Sequence, residues 1–200
     1  MSAPSSPRPA ATAVKIVVSG GFGVGKTTFV SAISEIEPLV TEAAMTDLSL
    51  GVDDAGDLLD KTTTTVALDF GRISLESTLL LYLFGTPGQD RFSFLWDDLV
   101  DGALGAVVLV DTRRVEDGFP AIDYFEERDI PFLVAINNFD NAHRFEIAEV
   151  REALGFDDNI PVIECDARHR ESVKAVLVAL IEQILMVRLG RSYLEATTSA

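Results

Sequence analysis

Val14–Phe29 reads VKIVVSGGFGVGKTTF. The apolar run Val14–Val18 has the composition of a buried strand, and the residues after Lys26 read as the start of a helix. Between them stands Gly20-Gly21-Phe22-Gly23-Val24-Gly25-Lys26-Thr27, which fits the phosphate-binding pattern G-x-x-x-x-G-K-[ST]. The chemistry needs that order. Glycines let the backbone curl so that successive N–H groups face one anion, and the helix start adds its dipole. In such a loop Lys26 reaches the β- and γ-phosphates, and Thr27 offers its hydroxyl to Mg²⁺.

Two hundred residues suit one α/β domain with a large core. The net charge of −16 argues against a nucleic-acid surface and against docking on anionic lipid by charge alone. A phosphate site in so acidic a chain must bring its own positive potential. The lone cysteine, Cys165, leaves no internal disulfide or multi-cysteine metal cluster and suits a reducing, cytoplasmic setting. No apolar run approaches a membrane span, and we expect no intrinsic membrane anchor. Residues 1–13, rich in Pro, Ser and Ala, read as a disordered tail. Residues 14–190 read as the domain, and residues 191–200 as a flexible tail.

Outward from the loop, Lys26–Glu37 reads as an amphipathic helix stopping before Pro38. Residues 38–64 show no clean period and read as a long functional loop or a partly helical excursion. Val66–Phe70 with Ile73–Leu75, then Thr78–Phe84, read as a hairpin. Residues 93–101 suit a short helix. Leu104–Val110, Pro131–Ile136 and Ile160–Glu164 read as strands. Gly118–Arg128, Ala142–Leu154 and Glu171–Leu189 read as helices, the last with an apolar face of Val173, Val176, Leu177, Leu180, Ile181, Ile184 and Leu185. The alternation predicts a three-layer α/β fold with helices on both faces. Its sheet is mainly parallel and six-stranded, with one antiparallel strand at an edge.

Ligands of such sheets bind beyond the carboxyl ends of the strands. One loop at that end is Asn137-Asn138-Phe139-Asp140. A carboxylate there can accept two hydrogen bonds from guanine N1 and N2, whereas adenine offers no such donor pair. Taken alone the tetrad is also ordinary turn chemistry. Another loop is Glu164-Cys165-Asp166-Ala167-Arg168, where a small residue lets a backbone N–H approach the guanine carbonyl.

Taken in order, these loops resemble those of the Ras-like small GTPases. GGFGVGKT resembles their phosphate loop. TVALDF (Thr65–Phe70) resembles the first switch, and GTPGQDRF (Gly85–Phe92) the second. NNFD resembles N-K-x-D, and CDAR resembles the S-A-K loop. Among bacterial members the similarity is to actinobacterial conservon GTPases and, more distantly, to gliding-polarity GTPases. The resemblance implies a P-loop G domain in which Gly21, Phe22, Gly23, Val24, Gly25, Lys26, Thr27 and Thr28 cradle the phosphates. It implies Mg²⁺ on Thr27 and, with a γ-phosphate present, on Thr65 of the run Thr62–Thr65. Gly88 N–H would contact the γ-phosphate, and Gln89 would orient the attacking water, with Lys26 and Thr65 completing the catalytic set. Asn137, Asn138, Asp140, Asp166, Ala167 and Arg168 would form the base region, with Ala167 N–H on the guanine oxygen.

The chain also departs from that pattern. Gly85 stands where the family has a metal-side aspartate, and Asp69, on the neighbouring strand, is the replacement we expect. Asn138 replaces a lysine that packs on the base and braces the phosphate loop. Phe22 fills a position that is often small. Arg72 and Arg91 are the arginines weighed as a built-in finger. The implied function is a monomeric guanine-nucleotide switch that binds GTP and GDP with Mg²⁺ and hydrolyses GTP slowly. The implied partners are a roadblock/LC7-type regulator and a membrane sensor-kinase complex that would recruit it to the membrane. A GDP-holding docking module with little turnover and a P-loop ATPase or kinase are the alternatives.

Overall fold

The computed structural model describes residues 12–37, 39–45, 64–75, 78–140, 142–155 and 159–198. The strands are β1 (Thr12–Ser19), β2 (Leu39–Met45), β3 (Thr64–Leu75), β4 (Leu79–Gly85), β5 (Gly105–Val110), β6 (Phe132–Asn137) and β7 (Val162–Cys165). The helices are α1 (Lys26–Ile33), α2 (Trp96–Val100), α3 (Phe119–Glu127), α4 (Ile147–Leu154) and α5 (Arg170–Thr198). The strands form one sheet in the order β2-β3-β4-β1-β5-β6-β7. Only β3 runs against the others: it pairs antiparallel with both β2 and β4, while β1, β4, β5, β6 and β7 pair in parallel.

The six expected strands are all present, in a mainly parallel sheet with one antiparallel member. The correction is at the edge. Residues 39–45, read from sequence as loop, form a seventh strand outside β3, so the antiparallel strand is second from the edge. Residues 46–63, where the rest of that loop was expected, lie outside the described residues, as do residues 1–11. Residues 191–198, expected as a tail, continue the backbone of α5.

Two apolar layers flank the sheet. Alternate residues of β5 divide between them: Val107 and Leu109 join Ile16, Val18, Phe29, Leu83 and Leu180 beneath α1 and α5. Ala106, Val108 and Val110 join Val17, Trp96, Phe125, Val134 and Ile136 on the other face. A strand covered on both sides reads as a continuous apolar run, as GAVVLV does. On α5, Val173, Val176, Leu177, Leu180 and Ile184 are buried as expected, but Leu185 is exposed. No helix among the described residues is long and apolar enough to cross a membrane.

Two helices are shorter than their patterns. α1 ends at Ile33 because the Ser34 hydroxyl bonds locally, donating to Ile36 O and accepting from the N–H groups of Ile36 and Arg72. α4 begins at Ile147 because Glu146 and Glu149 form a reciprocal capping box there. At its other end Gly155 takes the left-handed conformation expected of a helix stop, with φ 70°.

Candidate functional site

The phosphate-loop motif lies between β1 and α1, at the carboxyl end of the sheet. Gly20, Gly23 and Gly25 have φ of 129°, 71° and 105°, a region that side chains disfavour. The loop is also hemmed in. A Cβ on Gly20 would lie 2.3 Å from the Leu109 carbonyl oxygen, and one on Gly25 would lie 2.6 Å from Asn137 Nδ2. With the turn that follows β4, the loop walls a cleft of about 330 Å³ lined by Gly23, Lys26, Thr27, Asp69, Thr86 and Gly88, among others.

Lys26 is buried, and its ammonium donates to the carbonyls of Gly20 and Gly21, both at 2.7 Å. Burial pulls its pKa down to about 8, against the opposing pull of the Asp69 carboxylate. Gly88 sits on this lysine: a Cβ there would lie 2.5 Å from Lys26 Nζ and 3.0 Å from Phe22 Cα. The turn is pinned by a buried contact between the Ser19 and Thr86 hydroxyls at 2.9 Å, by Thr86 N–H to Val18 O, and by the Trp96 indole N–H to Pro87 O at 3.3 Å. Gln89 is exposed at the head of the 3-10 turn Asp90–Leu95. Thr27 and Thr28 are exposed at the start of α1. Thr65 lies on β3 opposite Ala44.

Asp69, the replacement expected for the metal-side carboxylate, lines the cleft beside Thr27. It is buried, and its Oδ2 accepts a hydrogen bond from the Thr27 hydroxyl at 2.8 Å. The antiparallel register pairs Phe70 with Phe84, which carries Asp69 to the level of Gly85. A Cβ on Gly85 would lie 2.9 Å from Asp69 Oδ2. The glycine makes room for the carboxylate of the neighbouring strand.

Asn137 joins the other two loops to the first. Its Nδ2 donates to Val24 O at 2.8 Å, and its Oδ1 accepts from Ala167 N–H at 3.0 Å. The Ala167 N–H, expected to face a base oxygen, is thus held by Asn137. Asn138 is tied through its backbone N–H to Cys165 O at 2.7 Å. Beyond it, both Asp140 oxygens accept from the Arg168 guanidinium, at 2.7 and 2.9 Å. These bonds hold the Asp140 pKa below the usual carboxylate range. The Arg168 fork also grips Asp166, whose pKa falls below the usual carboxylate range chiefly through those bonds. Cys165 is buried, which pushes its thiol up to about 11.

Sequence reasoning missed one side chain here. Arg114 Nη2 donates to the Phe22 carbonyl at 3.0 Å, from the turn that follows β5. Its neighbour Arg113 pairs with buried Asp111 and lies over the Phe139 ring, 4.1 Å from its centroid. The signal was an adjacent pair of arginines just past a buried strand in a strongly acidic chain. Arg72, weighed as a finger, lies elsewhere, on β3 opposite Tyr82 and beside Ser34 at the end of α1. Phe22 itself is 63% exposed.

The sequence matches, over residues 18–187, the model of a family described as conserved hypothetical ATP binding protein. The chain belongs to this family. An uncharacterized protein of Methanocaldococcus jannaschii, MJ1339, is 30% identical over 129 residues, covering 64% of this chain and 71% of that protein. The Ras-related protein Rab-18-B of Danio rerio is 27% identical over 184 residues, covering 87% of this chain and 80% of the relative. Among solved structures, the cytosolic domain of the T. maritima FeoB iron transporter in a GDP form superposes with a TM-score of 0.61 at 18% identity. That match covers 87% of this chain and 64% of the other. The fold of this family member is therefore that of a P-loop G domain.

Proposed function

We propose that the protein binds GTP and GDP with Mg²⁺ and works as a slow GTP-hydrolysing switch. The observation that carries the reading is the Asn137 node. One amide ties the phosphate loop to the Ala167 loop, and it sets Asp140 three residues further along the same turn. A nucleotide with its phosphates at Lys26 would lay its base towards that carboxylate. Asp140 already accepts a planar pair of donors from Arg168. Guanine N1–H and N2–H present the same pair, and adenine does not. The likeness to Rab-18-B and to FeoB, which was solved in a GDP form, supports the same choice.

In this reading Lys26 pairs the terminal phosphates, and Gly88 N–H meets the γ-phosphate. Gln89 orients the water, and Thr65 completes the set when GTP is bound. Thr27 and Asp69 offer adjacent hard oxygens suited to Mg²⁺, which keeps several waters and takes few protein ligands. No cluster of three or more His, Cys, Asp or Glu among the described residues could hold a metal by itself. A Mg²⁺ shared with phosphate needs none. When bound, the ion would offset charge on the phosphate oxygens. Turnover unaided by a partner is on the order of 10⁻⁴ to 10⁻² s⁻¹. The finer placing among conservon-type GTPases, a roadblock-type regulator, a sensor-kinase complex and a cytoplasmic setting belong to the same proposal.

The family description names ATP, so the deciding measurement is calorimetry with GDP, GTP, ADP and ATP, with and without Mg²⁺. Guanine nucleotides at least a hundredfold tighter than adenine ones are the expected result. Equal affinity, or a preference for adenine, overturns the proposal.

A further inference from the structure

We infer that Arg114 is a positioning residue of the phosphate loop: it turns the Phe22–Gly23 peptide so that the Gly23 N–H faces the bound phosphates. The inference rests on the nucleotide reading above. In a trans peptide the C=O and the following N–H point in opposite directions, and the described chain has no cis peptide. Arg114 draws the Phe22 carbonyl to one side, and the Gly23 N–H must turn to the other. Asn137 does the same two peptides further on. It draws the Val24 carbonyl outward and turns the Gly25 N–H. Gly23 and Gly25 both line the cleft. Two side chains from two different loops thus grip alternate carbonyls of one cradle.

The arginine is itself held. Its Nη1 lies 3.3 Å from Asp117 Oδ2, and its backbone N–H donates to Asp111 O. Asp117 is seated directly on the loop, since a Cβ on Gly21 would lie 2.6 Å from the Asp117 Cβ. The turn Val115–Gly118 and the phosphate loop are therefore packed as one unit, and Arg114 is not a stray surface side chain. A guanidinium on a peptide oxygen also polarises that peptide, which makes the opposite N–H a better donor to an anion. Its charge is shared with the Asp117 and Asp111 carboxylates, 3.3 and 3.9 Å away, and Asn138, standing where a lysine could brace this loop, brings none.

The test is amide NMR of the full chain with GDP and Mg²⁺, on the wild type, Arg114→Ala and Arg114→Lys, together with GDP release rates. In the wild type the Gly23 amide proton moves strongly downfield on GDP addition, as an N–H bonded to an oxyanion does. In Arg114→Ala most of that shift disappears and GDP release speeds up about tenfold, the worth of one charge-assisted bond. The melting temperature without nucleotide stays close to that of the wild type. Arg114→Lys recovers part of both effects. A wild-type Gly23 shift and release rate in Arg114→Ala overturn the inference. So does a lowered nucleotide-free melting temperature with the Gly23 shift intact, which marks a merely structural contact. If wild-type protein shows no GDP-induced shift at any loop amide, the nucleotide reading itself has failed, and the inference falls with it.

Discussion

The Thr27 hydroxyl donates to Asp69 Oδ2 at 2.8 Å, and Asp69 fills the space that Gly85 leaves by lacking a side chain. On neighbouring strands, the acid and the glycine together set a carboxylate beside the phosphate-loop threonine. Asp69→Ala should raise the Mg²⁺ concentration needed to slow GDP release about 10- to 100-fold, the usual cost of losing a group that orients a metal's surroundings. Binding without Mg²⁺ should change far less. The double variant Asp69→Gly with Gly85→Asp should regain part of the loss. Mg²⁺ titration of the GDP release rate reads all three, and an unchanged titration in Asp69→Ala would rule the role out.

Asp140 and Arg168 form an exposed pair, which solvent screens and a ligand can open at little cost. A nucleotide base that uses Asp140 must displace the arginine fork. Arg168→Ala should therefore speed nucleotide association by up to about fivefold, as stopped-flow binding would show. Asp140→Asn replaces one acceptor with a donor. It should weaken guanine nucleotides and favour xanthine ones, whose second carbonyl can accept from the new amide.

Lys26 carries a pH signature. Its pKa falls from 10.5 to about 8 on folding because the ammonium is buried. Between those values the unfolded chain binds more protons, so the stability of the nucleotide-free protein should rise as pH rises through that window. The penalty should be fully present below about 8. Phosphate at the site favours the charged form again. Binding of GDP near pH 8 should therefore take up a fraction of a proton, visible as a binding enthalpy that depends on the buffer's ionisation heat. Lys26→Arg, always charged, should abolish that dependence.

Asn137→Ala would strand two buried partners, Val24 O and Ala167 N–H. A loss of about 2–4 kcal/mol is expected, measurable by urea unfolding. Gly20→Ala joins a φ of 129° to a contact with Leu109 O and should cost about 3 kcal/mol or block folding.

The phosphate loop was legible because its chemistry fixes residue types at fixed spacing, and the central strands because burial on both faces leaves an unbroken apolar run. That Asp69 would stand level with Gly85 was legible from strand pairing, since a hairpin fixes which residues of β3 and β4 face each other. β2 was not legible: Leu39–Met45 mixes apolar residues with Thr41 and Glu42, and no period marks it as a strand. Helix ends were misread where local side-chain bonds at Ser34 and Glu146 overrode the apolar period. For Arg114 the adjacent arginine pair was the only signal; its partner was not legible, because the contact joins residues 92 positions apart and depends on how a turn packs.

The indole of Trp96 is the chain's only one, and its N–H is anchored to the carbonyl immediately before Gly88. Any rearrangement of that glycine around a γ-phosphate must disturb this anchor. The molecule thus carries its own optical gauge: a change in intrinsic emission on exchanging GDP for a non-hydrolysable triphosphate would report the turn's movement without a dye, and its decay with GTP would time each turnover.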